Sequence, residues 1–278
     1  MQAYRGYYIN LDRSQERREY MESELRRVGI YDHYERFSAV DGKALAEVRG
    51  PLAAPEIGCF LSHSAVVDLP HGDEPFIHIL EDKARLATTF DAVVTRLIDR
   101  GAFSQADLIF TDVMMVSPAV ATLRKLWVAL GEANNGPSPL FRLIDLPGFQ
   151  FAGANSYFVN RGSIGKVRAL LHRELGKASK PTIPIDLLYR REVNAGRLKA
   201  VCIFPFISDV MATPTTMIGR ASVSEIHRFY QRAFFIDSDV EATKAALAAE
   251  IPPDNGDKRL DILLDIHKAL ILRTDVAE

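Results

Sequence analysis

Only two cysteines occur in the 278 residues, Cys59 and Cys202. They are too few and too far apart for a disulfide framework or a zinc site, and their apolar neighbours predict buried free thiols in a reducing, cytoplasmic setting. No apolar run approaches the roughly 18 residues of a membrane-spanning helix, and Met1 to Gly6 lack the apolar core of a signal peptide. Charge of one sign is also missing: 34 Lys and Arg face 36 Asp and Glu, so bulk electrostatics give no reason to expect nucleic-acid binding. There is no Walker A loop, no glycine-rich dinucleotide fingerprint, no His-Glu-x-x-His and no Gly-x-Ser-x-Gly. Those absences disfavour P-loop, NAD-dependent, zincin and α/β-hydrolase chemistry. No internal repeat or low-complexity tract is present.

What remains is an ordinary globular composition, 47% hydrophobic and 25% charged, arranged as alternating strand and helix patterns. Tyr7 to Leu11 reads as a strand. Asp12 can cap the helix that follows, with Met21, Leu25 and Val28 on one face and Gly29 as its stop. A second strand, Tyr34 to Val40, ends at the Asp41-Gly42 turn signal. Pro55 opens a helix with Ile57, Phe60, Leu61 and Ala65 in a stripe. Strands follow at Phe76 to Leu80, Leu108 to Thr111, Ala154 to Val159 and Ala200 to Phe204. Between them come helices around 90–98, 163–175 and from Pro184-Ile185-Asp186, with a long loop at 131–150. This predicts an α/β fold with a mainly parallel sheet and helices on both faces. Residues 1–222 form that domain. Residues 223–278 form a helical C-terminal extension in which Leu260, Leu263, Leu264, His267, Leu270 and Ile271 make an apolar stripe. The stripe packs either on its own domain or in a homodimer.

The most informative segment is Phe76-Ile77-His78-Ile79-Leu80-Glu81-Asp82-Lys83. An apolar strand that ends on two carboxylates points to a site at the sheet's carboxyl edge, where ligands of open α/β sheets bind. Glu81 and Asp82 suit a divalent cation that bridges them to phosphates, or are a solvated or capping pair. Lys83 puts positive charge where a metal-binding acid would help. If the extended path continues, Glu81 and Lys83 share a face. Other acids also stand at strand ends. Asp41 either hydrogen-bonds a ribose or serves its own turn, and Asp112 ends the Leu108 strand. Arg13, Arg17 and Arg18 follow the first strand, facing a diphosphate or solvent. His63 and His78 read as core histidines or as ligands.

Taken together, several segments resemble glycosyltransferase family 25, which includes lipooligosaccharide, lipopolysaccharide and collagen glycosyltransferases. They are Ile9-Asn10-Leu11-Asp12-Arg13-Ser14, Arg36 to Gly42, Glu56-Ile57-Gly58-Cys59-Phe60-Leu61-Ser62-His63, and Ile79-Leu80-Glu81-Asp82, in the family's order. Weaker likenesses at Tyr157-Phe158-Val159 and Pro184-Ile185-Asp186 extend the resemblance over about residues 7–210. It implies a GT-A-type, Rossmann-like fold and transfer of a hexose from a nucleotide sugar, UDP-linked and with inversion. The implied acceptor is a surface glycan such as a lipooligosaccharide core, reached at the inner face of the membrane through peripheral contact. Asn10, Asp12, Arg13, Arg17, Asp41, Ser62 and His63 are then the donor-binding set. Glu81 and Asp82 hold Mn²⁺ or Mg²⁺. Asp186, Asp112 and Lys83 are the catalytic candidates, the first two as bases on the acceptor hydroxyl. Where the family has a further Asp, this chain has Lys83. The alternative is a non-catalytic nucleotide-sugar-binding or assembly protein that has lost the metal site.

Overall fold

A computed structural model describes residues 3–45, 51–115, 117–133, 140–176, 180–211, 231–239 and 242. Seven strands form the central sheet in the order β2-β1-β3-β9-β5-β10-β7. They are β1 (Arg5–Asn10), β2 (Tyr34–Ser38), β3 (Phe76–Glu81), β5 (Leu108–Phe110), β7 (Arg142–Asp145), β9 (Ser156–Asn160) and β10 (Ala200–Phe204). Five run one way. β9 and β7 run against them, β9 in the middle between β3 and β5, and β7 at the edge beside β10. The sheet is mainly parallel and mixed, and the α/β fold is consistent with a Rossmann-like GT-A architecture.

Period-two alternation feeds two cores, one on each face. Tyr7 and Ile9, Ile77 and Ile79, Leu108 and Phe110, and Tyr157 and Val159 point to one side. Tyr8, Leu80, Ile109, Phe158 and Ile203 point to the other. The first face is covered by α2 (Ala54–Asp68), α4 (Ser117–Ala133), α5 (Ile164–Gly176) and α6 (Ile185–Asn194), and the second by α1 (Gln15–Arg27) and α3 (Phe90–Asp99). In α1, Met21 and Leu25 are fully buried. Each contributes roughly 1.5–3 kcal/mol by burial, whereas the exposed Arg18–Glu22 and Arg26–Glu22 pairs give about 0.3–0.5 each. Packing therefore fixes this helix, and Gly29 (φ 76°) ends it.

Several local expectations are corrected. The residue preceding α1 is Ser14. Asp12 instead bonds Arg36 and accepts from the Ser38 hydroxyl at 2.9 Å. In α2, Leu61 and Ala65 are only partly buried. Phe60, His63, Ser64 and Val67 carry the burial, because the helix is covered around most of its circumference. The expected loop at 131–150 contains the edge strand β7, which pairs antiparallel with β10. Its apolar residues Leu143 and Ile144 pack against the two cores.

Short pairs complete the frame: β4 (Ala84–Leu86) with β11 (Ser208–Val210), and β6 (Met114–Met115) with β8 (Phe151–Ala152). Of the expected C-terminal helical segment, residues 231–235 pack into the core, and the chain emerges to an exposed Asp239. Phe234 and Phe235 are fully buried, and Phe235 bridges Phe206. The stripe from Leu260 to Ile271 lies outside the described residues. No described helix is long and apolar enough to cross a membrane.

Candidate functional site

A cleft of about 490 Å³ opens at the carboxyl edge of β1, β2, β3 and β5. Because β9 runs backwards, the residues leading into it, Gly153-Ala154-Asn155, reach the same rim. The Pro184-Ile185-Asp186 start of α6 closes the far wall.

One side of the cleft rests on two interlocked backbones. A Cβ on Gly42 would stand 1.7 Å from the Ala54 carbonyl oxygen, and one on Gly58 would stand 2.6 Å from that of Val40. Only glycine lets the loop after β2 lie directly on the first turns of α2. Ser62 fastens the contact: its hydroxyl accepts from the Val40 N–H at 2.8 Å and donates to the Gly58 carbonyl at 2.7 Å. Asp41 caps the following turn by accepting from the Lys43 N–H at 3.0 Å, and it pairs with Arg13.

The strand-end acids sit in the middle. β3 turns at Asp82-Lys83 instead of continuing, yet Lys83 Nζ still reaches Glu81 Oε2 at 2.8 Å. Asp82 faces inward, accepting from Asn10 Nδ2 at 2.8 Å, with Arg17 at 3.5 Å from its other oxygen. Asn10 is buried beneath it and also accepts from Arg36 at 3.1 Å. Burial raises the Glu81 carboxyl, but the Lys83 ammonium beside it outweighs that and holds the group far below its ordinary range. Burial pushes Asp82 the other way, up, against the pull of Asn10 and Arg17. Two adjacent carboxyls are thus driven apart, an arrangement that separates acid and base roles.

Asp112 lies beyond β5 and is nearly fully buried. Its Oδ2 accepts from Ser208 and, at 3.0 Å, from Asn155; Oδ1 has no hydrogen-bond partner among the described residues. Burial raises its pKa to about 7, with the Asp209 and Glu81 charges adding to the rise and the Ser208 and Asn155 bonds opposing it. Asp186 is differently placed. Its oxygens accept the Gly153 N–H at 2.8 Å and the Leu187 N–H at 2.9 Å, so from the first turn of α6 it ties the β8–β9 connection to that helix.

The model of glycosyltransferase family 25 (LPS biosynthesis protein) matches residues 4–162 of this chain. The chain belongs to glycosyltransferase family 25. Membership indicates a glycosyltransferase of lipopolysaccharide biosynthesis. No curated protein matches the sequence.

In this family 25 chain, the four sequence blocks converge on the cleft from β1, the loop after β2, α2 and the end of β3. Arg13, Arg17, Asp41, Ser62, His63, Glu81, Asp82, Lys83, Asp112 and Asp186 all line it. Asn10 supports Asp82 from below. Asp12 is mostly exposed, engaged with Arg36 and Ser38, and is not part of the lining. His78 is a core residue. It stacks on Phe158 at 3.9 Å and bonds Tyr34 and Ser156, and burial holds its pKa well down. No sequence pattern marks Asn155 and Gln231, which line the cleft, or Ser208 and Asp209, which stand beside Asp112 and Asn155; strand order and the 231–239 segment bring them there. The family match ends before Pro184, so the α6 wall lies outside it.

A hard divalent cation on the diphosphate takes about six oxygen ligands in near-octahedral array. Here Lys83 holds one Glu81 oxygen, Asn10 holds one Asp82 oxygen, and Arg17 faces the other. Among the described residues, Glu81 Oε1 is the one oxygen of the four not held by lysine, arginine or amide, and a single free oxygen does not suit Mn²⁺ or Mg²⁺.

Proposed function

We propose that the cleft binds a UDP-linked hexose and transfers the sugar, with inversion, to a hydroxyl of a surface glycan such as a lipooligosaccharide core. Asp112 carries this reading. It is a cleft-lining carboxyl with a pKa of about 7 and one oxygen without a hydrogen-bond partner among the described residues. A general base works best when its pKa lies near the working pH. Asp112 takes the proton of the acceptor hydroxyl as that oxygen forms a bond to the anomeric carbon. The bond from that carbon to the diphosphate oxygen breaks, and UDP leaves with the electron pair. Asp186 holds the wall, its oxygens already occupied by backbone donors.

The departing diphosphate gains negative charge, which Lys83 and Arg17 stabilise from the ends of β3 and α1. Both are already positioned by Glu81 and Asp82, so they need little reorganisation. Arg13, from the turn between β1 and α1, and Asp41, on the loop above α2, are paired and face the nucleoside. The polar groups of Gly42, Lys43 and Ser62 fix that wall.

A second reading, a protein that holds the nucleotide sugar without transferring it, draws on the Lys83–Glu81 ion pair in place of a family acid. UDP release from a panel of UDP-sugars, with and without acceptor extract, separates the two. Acceptor-stimulated release supports transfer, and binding without release supports the second reading. Absence of any nucleotide or nucleotide-sugar binding by calorimetry would overturn both.

A further inference from the structure

We infer that Cys59, His63 and Glu81 form a binding site for one transition-metal ion of the zinc class at the floor of the cleft. Counting cysteines discounted zinc at the level of sequence, but the tertiary structure assembles a different donor set. Cys59 and His63 stand one helical turn apart on α2, so both reach the same side. The end of β3 brings Glu81 to meet them. Sγ lies 3.7 Å and Nε2 3.8 Å from Glu81 Oε1, and all three donor atoms fall within 4.8 Å of one another.

Zinc bonds of about 2.3 Å to sulfur and about 2.0–2.1 Å to nitrogen or oxygen put tetrahedral ligand atoms roughly 3.3–3.6 Å apart. The two contacts to Glu81 Oε1 need to shorten by only a few tenths of an ångström, and the Cys59–His63 separation, within 4.8 Å, by about 1 Å at most, a shift that side-chain rotation supplies. Three ligands leave a fourth position, and all three residues line the cavity from which water or a ligand oxygen would fill it.

A second observation points to an ion independently. His63 is fully buried, and its Nε2 has no hydrogen-bond partner among the described residues; 3.8 Å to a carboxylate is too long for one. A buried unpartnered ring nitrogen costs free energy unless something occupies it. Its other nitrogen, Nδ1, lies 2.9 Å from the Tyr157 hydroxyl, which in turn lies 3.2 Å from that of Tyr189. With Nδ1–H donated to Tyr157, and Tyr157 donating to Tyr189, the Nε2 lone pair faces Cys59 and Glu81. Histidine metal ligands are commonly oriented through their second nitrogen in this way. Lys83 engages the opposite oxygen of Glu81, leaving Oε1 on the side of the other two donors.

Thiolate, imidazole and carboxylate together favour zinc, cobalt or nickel over magnesium or calcium. A bound ion would pin α2 to the end of β3 and set the Glu81 carboxylate. The site stands whether or not the cleft transfers a sugar.

Cobalt(II) is the probe, titrated into the metal-free full chain without nucleotide and followed by absorbance. The expected result is one ion per chain, with a thiolate-to-cobalt charge-transfer band that stoichiometric zinc removes and excess magnesium does not. Cys59→Ala abolishes the band, Cys202→Ala keeps it, and Glu81→Gln and His63→Ala weaken cobalt binding by about tenfold or more. His63 is buried, so its variant is interpreted only if it melts cooperatively; the wild-type spectrum needs no variant. A wild-type titration without the band, or a band that survives Cys59→Ala, overturns the site.

Discussion

Asp112→Asn should remove a pH-dependent penalty from folding. The Asp112 carboxyl is raised from 3.8 to about 7, chiefly by burial. An acid raised in this way binds its proton more tightly in the folded state. Its contribution to stability is therefore greatest at low pH, falls as pH rises from about 4 to about 7, and is flat above that. Each pKa unit is about 1.4 kcal/mol, so the full penalty approaches roughly 4 kcal/mol, to order of magnitude. Between pH 5 and pH 8 the linkage relation gives a loss of about 2.6 kcal/mol from this residue. Asp82 and Asp209 are also raised by burial and add slope of the same sign, so the difference between wild type and variant isolates Asp112. Asparagine keeps the size of the side chain and an oxygen to accept from Ser208. Urea unfolding of both proteins at pH 5 and pH 8 measures the effect, using midpoints and common m-values. The variant should gain on wild type by about 2–3 kcal/mol at pH 8 relative to pH 5. In the same protein, acceptor-dependent UDP release should vanish, and in wild type it should rise through about pH 7. Parallel pH dependences of unfolding in the two proteins would refute the buried-acid assignment and, with it, Asp112 as the base.

Gly42→Ala should destabilise by more than the usual 1–3 kcal/mol of overpacking, because its Cβ meets the Ala54 backbone oxygen rather than a movable side chain; urea midpoints test this. Lys83→Ala should lower kcat by about a hundredfold while changing UDP affinity much less, and added Mg²⁺ or Mn²⁺ should not restore it. Equal losses in kcat and affinity, or rescue by either ion, would remove Lys83 from the leaving-group role. UDP at 100 times its Kd should raise stability by about 2.7 kcal/mol. Asp41→Ala, which frees Arg13 and uncaps the Gly42 turn, should reduce that gain, as read by thermal unfolding with and without UDP.

Local pattern in this sequence determined most of the elements. Apolar alternation marked β1, β3, β5, β9 and β10, and Gly29 and Pro55 marked helix ends, because those features act over a few neighbouring residues. The same locality made the strand-end residues Asp41, Glu81, Asp82 and Asp112 visible as a set. Strand direction was not legible. A buried strand such as Ser156–Asn160 reads the same whether it runs with or against its neighbours, and only pairing with both β3 and β5 set β9 antiparallel. That reversal brings Asn155 to Asp112. Roles within the site were likewise decided in three dimensions. Asp186 and Asp112 look alike as acids in the chain, but one meets two backbone N–H groups and the other is buried with an oxygen left over. Cys59 and His63 appear in sequence as parts of an amphipathic helix, and Glu81 as one of an acid pair. Ionisation and metal affinity depend on what surrounds a group within a few ångströms, and in this protein those surroundings come from segments dozens of residues apart.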